Sequence, residues 1–228
     1  KEKERGEAVW IDPAEAVARW DRGEWIVSPN ALGALRAIAS GGAGEVGPTS
    51  TVERAAERCR RASSSSSRPS RAWEIAPSVT VVPLRTPTLL PATRTNCYLI
   101  GTDEVVVVDP GSPYEDECAA LESVIDALQS EGRKAVEVWL THQHGDHVGG
   151  AARLARKLGV PVAAHRVTAE MLKEAGQSDL VVDRIIEDGD VRTLAGNPPR
   201  RLWASHTPGH APGHLCFQEE VTGLVVSG

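Results

Sequence analysis

Cysteine is scarce in this sequence, and long hydrophobic runs are absent from it. Its 228 residues contain four cysteines, none of them in a CxxC pair or another close spacing: Cys59, Cys97, Cys118 and Cys216. This usage indicates a reducing compartment rather than a disulfide framework, and we expect the protein to be cytoplasmic. No apolar run approaches the roughly 20 residues that a membrane helix needs, so the sequence predicts no association with a membrane.

An excess of positive charge is also lacking. The 25 lysines and arginines are outnumbered by 31 aspartates and glutamates, which gives a formal net charge of −6 at pH 7. Proteins that bind nucleic acids usually present a basic surface, so this balance argues against strong RNA binding. The expected substrate is a small molecule, or an oligonucleotide held in a local groove. The composition does not fix the oligomeric state.

Histidine is missing from the first 141 residues and concentrated after them. All seven histidines lie between His142 and His214, most of them in two segments. The first segment is THQHGDHVGG at 141–150, and the second is HTPGHAPGH at 206–214. Chance clustering, or histidines that serve as hydrogen-bonding residues of loops, is the alternative interpretation. This density at a predicted strand–helix junction favours metal binding.

The first segment contains four potential metal donors within six residues. His142 and His144 are two residues apart, so at the end of an extended strand their rings leave on the same side. Two neutral imidazoles aimed at one point bind divalent metals such as zinc. Gly145 permits a sharp turn that can direct Asp146 and His147 to a second position nearby. The spacing therefore predicts a metal site, to which the second segment adds a third histidine.

The motifs THQHGDH and TPGHAPGH resemble those of the metallo-β-lactamase superfamily, a group of metal-dependent hydrolases. Asn96–Ile100 and Val105–Gly111 add further matches, and the resemblance covers about residues 79–228. Within the superfamily, the sequence is most similar to the glyoxalase II and lactamase-β-like endoribonuclease branches. The resemblance implies an α/β fold, the αββα sandwich, with its second half largely missing from the 228 residues and a small N-terminal helical segment added.

The resemblance also implies a ligand set for two metal ions. One ion is bound by His142, His144 and His210, which leaves an open position for water. Asp146 and His147 are left for the second ion, and Asp146 has the catalytic role of orienting a metal-bound hydroxide. Two zinc ions are expected in the intact protein, with iron or manganese as alternatives.

Four further residues are implied to support these ligands. Asp109 follows a predicted buried strand and Thr141 directly precedes His142, so both are expected to orient ligand side chains. His206 and His214 flank His210 in its predicted loop. They are expected either to contact substrate or to pack the loop.

The implied reaction is hydrolysis of an ester, thioester or phosphodiester. In the family, a bridging Asp follows a strand that ends in Ser-Gly, and this sequence stops at Ser227-Gly228. We therefore expect a fragment of a longer protein that is weakly active or inactive on its own. A mononuclear-iron oxidoreductase similar to persulfide dioxygenases is one alternative, and a non-catalytic metal-binding fold is another.

Residues 1–62 are predicted to form short helices. Asp12-Pro13 and Ser28-Pro29 are start signals of two helices, and a third is predicted from Ser50 to Arg61. The stretch WIDPAEAVARWDRGEW weakly resembles the C-terminal end of a Nudix hydrolase. The Nudix catalytic signature is absent from the sequence, so we assign this segment no activity.

A Ser-rich run at 63–72 predicts a flexible linker, and residues 73–228 are predicted to form the second domain. In that domain, helices are predicted over Tyr114–Ser130 and Val148–Leu158, between short buried strands. This alternation predicts parallel strands covered by helices. Val181–Ile186 is predicted to begin an antiparallel run of strands that leads to the second histidine segment.

Overall fold

The computed structural model describes residues 11–40, 56–57 and 71–228. The chain divides into two compact units, residues 1–66 and residues 67–228. Among the described residues, no helix combines the length and the apolar character needed to span a membrane.

The first unit contains the helices α1 (Pro13–Asp21) and α2 (Pro29–Ala39), and both begin where the sequence predicts. The Asp12 carboxylate accepts a hydrogen bond of 2.8 Å from the backbone N–H of Ala14, and the Ser28 hydroxyl accepts one from the first turn of α2. Caps of this kind satisfy N–H groups that a first helical turn leaves unpaired.

Two predictions for the N-terminal region fall largely outside the described residues. Of the third predicted helix, Ser50–Arg61, only residues 56 and 57 are described, and both are helical. Of the predicted linker at 63–72, only residues 71 and 72 are described.

The second unit is built on a seven-stranded sheet whose strands follow one another in chain order. Its strands are β1 (Trp73–Ala76), β2 (Val79–Arg85), β3 (Arg94–Ile100), β4 (Glu104–Val108), β5 (Lys134–Trp139), β6 (Val162–Ala164) and β7 (Arg184–Ile185). Strands β1 to β4 are antiparallel neighbours, and β4 to β7 are parallel neighbours. The predicted alternation of parallel strands and helices is confirmed for β4 to β6.

Helices cover one face of this sheet. They are α3 (Glu115–Ser130), α4 (Gly145–Val148), α5 (Ala151–Leu158) and α6 (Arg166–Glu174). Leu121 and Val124 of α3 pack with Val107 of β4 and Val138 of β5 in a core that also contains Leu172 of α6. The apolar stripe of the predicted helix Tyr114–Ser130 therefore faces the sheet, as its spacing predicts.

A second, four-stranded sheet packs on the other face. It is antiparallel in the order β11-β10-β9-β8, and its strands are β8 (Val191–Leu194), β9 (Arg200–His206), β10 (Leu215–Glu219) and β11 (Val225–Ser227). The core between the sheets contains Trp139 and Phe217, with ring centroids 4.7 Å apart. One helical layer and two sheets agree with the predicted α/β sandwich.

The predicted helix Val148–Leu158 is confirmed from Ala151 to Leu158, but its predicted start is wrong. The structure has the single turn α4 and then α5, with Gly149 and Gly150 between them. A Cβ at these two positions would lie 2.6 Å from the Gly111 carbonyl oxygen and 2.7 Å from the Pro110 carbonyl oxygen. The chain therefore breaks the helix where it must pass close to the backbone that follows β4.

The prediction that Val181–Ile186 joins an antiparallel run is also wrong. Only Arg184–Ile185 forms a strand, β7, and it pairs in parallel with β6 in the first sheet. The backbone N–H of Ile186 donates to the carbonyl oxygen of Ala164, which extends this pairing. Val181 is 62% exposed, so its apolar character does not mark a core strand.

The described cysteines are free thiols: Cys97, Cys118 and Cys216. Cys97 is buried in the core beneath the helices, and burial raises the pKa of its thiol. Cys216 lies in β10 and is only half-buried. Cys59 lies outside the described residues.

Candidate metal centre

The candidate site lies at the edge of the first sheet where the parallel strands β4 and β5 end. Asp109 directly follows β4, and its backbone N–H donates to the Trp139 carbonyl oxygen at the end of β5. His142 and His144 follow β5 within five residues, and α4 then carries Asp146 and His147. Ligands of open α/β sheets bind outside the carboxyl ends of such strands.

The connection between β9 and β10 adds the third histidine. This connection, residues 207–214, is called the His210 loop below. Its ends are joined by a hydrogen bond of 2.9 Å from the Thr207 N–H to the His214 carbonyl oxygen. The next N–H, of Leu215, donates at 2.9 Å to the carbonyl oxygen of Thr141 and so fastens β10 beside His142.

Three imidazole nitrogens converge at the site. His144 Nδ1 lies 3.0 Å from His142 Nε2 and 3.0 Å from His210 Nε2. Within the described residues, these three side chains are the only group of at least three His, Cys, Asp or Glu whose ligand atoms all lie within 4.8 Å of one another. His142 is buried, His144 is half-buried and His210 is exposed, so the group opens to solvent on one side.

The donor set fits a zinc ion. Three neutral imidazoles and one open position form an arrangement that is typical of catalytic zinc. Tetrahedral zinc with Zn–N bonds of about 2.0–2.1 Å holds its nitrogens about 3.3–3.4 Å apart. The separations of 3.0 Å between the nitrogens are within a few tenths of an ångström of that value. His142, His144 and His210 could therefore hold a metal ion.

The buried carboxylate of Asp109 organises the ligand side chains. Its Oδ1 accepts a hydrogen bond of 2.8 Å from the Thr141 backbone N–H, and its Oδ2 accepts one of 2.6 Å from the Thr141 hydroxyl. Oδ2 also lies 2.8 Å from His147 Nδ1. Asp109 reaches these partners from a left-handed backbone conformation, with φ +50°.

These hydrogen bonds fix the tautomers of two imidazoles. The Thr141 hydroxyl donates its hydrogen bond to Asp109. At the 2.9 Å contact between Thr141 Oγ1 and His142 Nδ1, the ring nitrogen must therefore be the donor. His142 Nε2 is then unprotonated and faces the other two histidines. His147 Nδ1 likewise carries the proton donated to Asp109, which leaves its Nε2 free. A carboxylate that orients metal-binding histidines in this way is common in metal sites.

The pKa values of the rings follow from burial and from their neighbours. Burial and then the charge of His147 lower the pKa of His142 to about 3. Burial and His210 also lower the pKa of His144. Burial opposes a charge on His147 too, but the hydrogen bond to Asp109 and its negative charge raise the pKa of His147. His142 and His144 are therefore neutral at pH 7, which is the form that binds metals.

Asp146 and His147 stand side by side next to the three-histidine group. His147 Nε2 lies 3.7 Å from Asp146 Oδ2, and the ring centroid of His147 is 4.2 Å from that of His142. The structure thus brings together all five residues that the sequence predicts as ligands.

His206 and His214 both have partners within the protein. His206 Nε2 lies 2.8 Å from the Pro212 carbonyl oxygen, and its ring stacks on the His165 ring at 4.1 Å between centroids. The buried ring of His214 places Nδ1 2.8 Å from Thr207 Oγ1, and burial lowers the pKa of this ring. Of the two roles predicted for them, these contacts favour packing of the loop.

Three residues at the site were not predicted from the sequence. A Cβ at Gly111 would lie 1.8 Å from the Asp146 carbonyl oxygen, and the Thr95 hydroxyl donates to the same oxygen at 2.7 Å. A Cβ at Gly228 would lie 2.3 Å from Thr141 Oγ1. The Asp-Pro-Gly run directly after a buried strand could have indicated Gly111. No local signal identifies Thr95, which is 51 positions from Asp146.

Comparison with known proteins identifies the family of the chain. A family model described as the metallo-beta-lactamase superfamily matches residues 90–228. A hydroxyacylglutathione hydrolase of Rhodopseudomonas palustris is 35% identical over 115 residues, which cover 49% of this chain and 41% of that protein. An atrochrysone carboxyl ACP thioesterase of Passalora fulva is 33% identical over 132 residues, which cover 57% of this chain and 34% of that protein. The chain thus spans well under half the length of these curated relatives.

Solved structures show the same fold. A metallo-beta-lactamase from Cronobacter sakazakii, a mutant of its HARLDQ motif, superposes with a TM-score of 0.53 and 24% identity, covering 69% of this chain and 62% of that one. A class B3 di-zinc metallo-beta-lactamase from an Alaskan soil metagenome gives a TM-score of 0.50 and 23% identity, covering 67% of this chain and 58% of that one. The family match covers more than half of the residues and includes every histidine of the candidate site. The chain therefore belongs to the metallo-β-lactamase superfamily.

Proposed function

We propose that this protein is a zinc-dependent hydrolase, with two zinc ions in the intact protein, and that its substrate is a thioester. The observation that carries the proposal is the convergence of nitrogens from His142, His144 and His210 within 4.8 Å. One relative is named a thioesterase and another a hydroxyacylglutathione hydrolase, which favours a thioester over an ester or a phosphodiester. The name of one structural neighbour, a di-zinc enzyme, supports two zinc ions.

We assign each side chain of the site a separate role in hydrolysis. His142, His144 and His210 would hold the zinc ion, which would supply a Lewis acid and lower the pKa of a bound water to about 7. Asp109 and Thr141 hold His142 in the tautomer whose Nε2 is free to bind. We assign to Asp146, whose side chain is 19% exposed, the role of orienting the attacking water and accepting its proton. The exposed side of His210 leaves room for the carbonyl group of a substrate.

Asp146 and His147 are the donors that we assign to the second zinc ion. Two protein donors form a weaker site than three, and among the described residues they belong to no larger cluster of metal ligands. We therefore expect the 228-residue chain to bind one zinc ion tightly and a second weakly. Its hydrolytic rate alone is expected to be low.

The test is release of a free thiol from a hydroxyacyl-glutathione thioester by the zinc-loaded chain, measured with a thiol reagent. We expect a slow release that disappears after chelation, returns with zinc and is lost in His210→Gln. A p-nitrophenyl ester and bis(p-nitrophenyl) phosphate test the other two bond types. Rapid hydrolysis would contradict the expected low rate, and release that persists without metal would contradict the proposal.

The dioxygenase-like alternative is tested in the same preparation. Iron in the purified protein, together with oxygen uptake on a persulfide substrate, would replace the hydrolase proposal. If the protein binds metal but shows neither activity, a non-catalytic role for the metal is supported.

A further inference from the structure

A second cluster of polar side chains lies beside the metal-binding histidines. His165 follows β6 and Glu187 follows β7, so both stand at the same sheet edge as Asp109 and His142. His206, at the end of β9, joins this cluster by stacking on His165 at an interplanar angle of 13°. None of these contacts is used by the proposed reaction. The cluster reaches the His210 loop through His206, whose Nε2 lies 2.8 Å from the Pro212 carbonyl oxygen.

His206 holds the His210 loop from one side. A carbonyl oxygen only accepts hydrogen bonds, so at the 2.8 Å contact with Pro212 the His206 Nε2 must be protonated and donating. The backbone N–H of His206 in turn donates at 2.8 Å to the carboxylate of Asp188. The ring of His206 is also confined by its stack on His165, whose side chain is 8% exposed.

Thr168 of α6 holds the loop from the other side. Its fully buried hydroxyl donates at 3.0 Å to the Gly213 carbonyl oxygen, the neighbour of the carbonyl that His206 holds. A Cβ at Gly213 would lie 2.5 Å from Thr168 Oγ1 and 2.6 Å from Thr168 N, so the loop is packed directly on the first turn of α6. His165 caps that turn by accepting a hydrogen bond from the Val167 N–H.

Among the described residues, no side chain outside the metal-binding group supports the His210 ring in a comparable way. The side chain of His210 is exposed. Its ring lies within hydrogen-bonding distance of His144, which is itself part of the metal-binding group. The Pro212 and Gly213 carbonyls lie two and three residues beyond His210, so the hydrogen bonds to them restrain the part of the loop that carries its ring.

We propose that His206 and Thr168 are positioning residues that set the metal affinity of the site by fixing the backbone of the His210 loop against helix α6. His165 supports His206 through the ring stack. The inference rests on the proposed metal site, but not on the identity of the substrate. Neither residue binds the metal, so each acts through His210.

The variants that test this inference are Thr168→Val and His206→Phe. The first removes the hydroxyl and keeps the shape of the side chain, and the second removes the Nε2–H but keeps a ring that can stack on His165. His206→Gln retains an N–H that can donate to the Pro212 carbonyl. Thr102→Val is the control, because the Thr102 hydroxyl donates a hydrogen bond of the same 3.0 Å length to a carbonyl, that of Pro198, at an exposed position away from the site.

Three properties are measured for the full chain: the zinc dissociation constant by chelator competition, the visible spectrum of the Co²⁺-substituted protein, and the melting temperature without metal. We expect Thr168→Val and His206→Phe each to weaken zinc binding by about tenfold and to change the Co²⁺ spectrum. Thr102→Val is expected to lower the melting temperature without changing either metal property, and His206→Gln to regain most of the affinity.

The inference is overturned if both variants bind zinc within twofold of the wild type, or if Thr102→Val weakens binding as much as they do. A wild-type chain that binds zinc but hydrolyses no thioester contradicts the proposed function and leaves this inference standing. A wild-type chain that binds no zinc contradicts both.

Discussion

The two segments that supply the histidines reach the metal centre in different ways. In the first, His142, His144, Asp146 and His147 lie within six residues, so one strand end and one helical turn suffice to bring them together. In the second, His210 is 66 positions from His144 and reaches it only because β9 and β10 return to the same edge. The arrangement of the first segment follows from its local backbone, whereas the position of the His210 loop depends on the packing of the strands around it.

The largest expected effect is the loss of a ligand from the local segment. His142 is fully buried and has the Thr141 hydroxyl behind its ring, so His142→Ala removes a donor that no neighbour can replace. We expect zinc affinity to fall by more than about 100-fold, beyond the range of changes around the ligands. Chelator competition measures the loss, and affinity that stays within tenfold would contradict the assignment of His142 as a ligand.

The link between the local segment and β4 is tested by Asp109→Asn. The amide keeps one oxygen for the Thr141 N–H but can no longer accept from both Thr141 Oγ1 and His147 Nδ1. We expect zinc binding to weaken by about 10- to 100-fold. Asp116→Asn is the control, since this exposed carboxylate pairs with Arg85 on the surface. Equal effects of the two substitutions would exclude the proposed role of Asp109.

Acid is expected to destabilise the metal-free protein through the buried rings of the local segment. The pKa of His142 falls from 6.5 to about 3 on folding, so below pH 6.5 the unfolded chain binds a proton that the folded chain does not. The free energy of unfolding therefore decreases as the pH is lowered below 6.5. The shift of His142 alone lowers it by about 2 kcal/mol at pH 5. The lowered pKa of His144 acts in the same direction.

The raised pKa of His147 acts in the opposite direction. Its contribution is present below pH 6.5 and is lost as pH rises through its folded pKa. Urea unfolding with a chelator at pH 7.5 and pH 5.0 measures the net change, and His142→Gln is expected to reduce it. A change between the two pH values that is as large in His142→Gln as in the wild type would contradict the lowered pKa of His142.

The smallest expected effect is in the His210 loop, where one glycine serves as the test position and another as its control. A Cβ at Gly213 would contact Thr168 at 2.5 Å, whereas a Cβ at Gly209 meets nothing within 4 Å. We expect Gly213→Ala to weaken zinc binding by about tenfold through a shifted loop, and Gly209→Ala to leave it within about twofold. If Gly209→Ala weakens binding as much, flexibility of the loop rather than its packing on α6 controls His210.

Several features of the fold followed from the sequence because their signals are local. The caps at Asp12 and Ser28 mark helix starts, and the apolar stripe of Tyr114–Ser130 marks a covering helix. The same signals failed at Val148–Leu158, where Gly149 and Gly150 break the helix to pass the backbone after β4. That close approach is a tertiary contact, and the helical spacing of apolar residues does not predict it.

Residue types and their spacing were enough to locate the densest group of metal donors, because the geometry of residues one or two positions apart depends on the local backbone alone. The local pattern does not show which downstream histidine meets that group, and His210 was expected there only through the resemblance to the family. The fold brings His210 to the group, gives His206 and His214 partners within the protein, and places Thr95 and Thr168 against the backbone of the site. These contacts join residues that are 45 to 66 positions apart in the chain. They depend on how two sheets and a helix pack, and a local sequence pattern does not predict that packing.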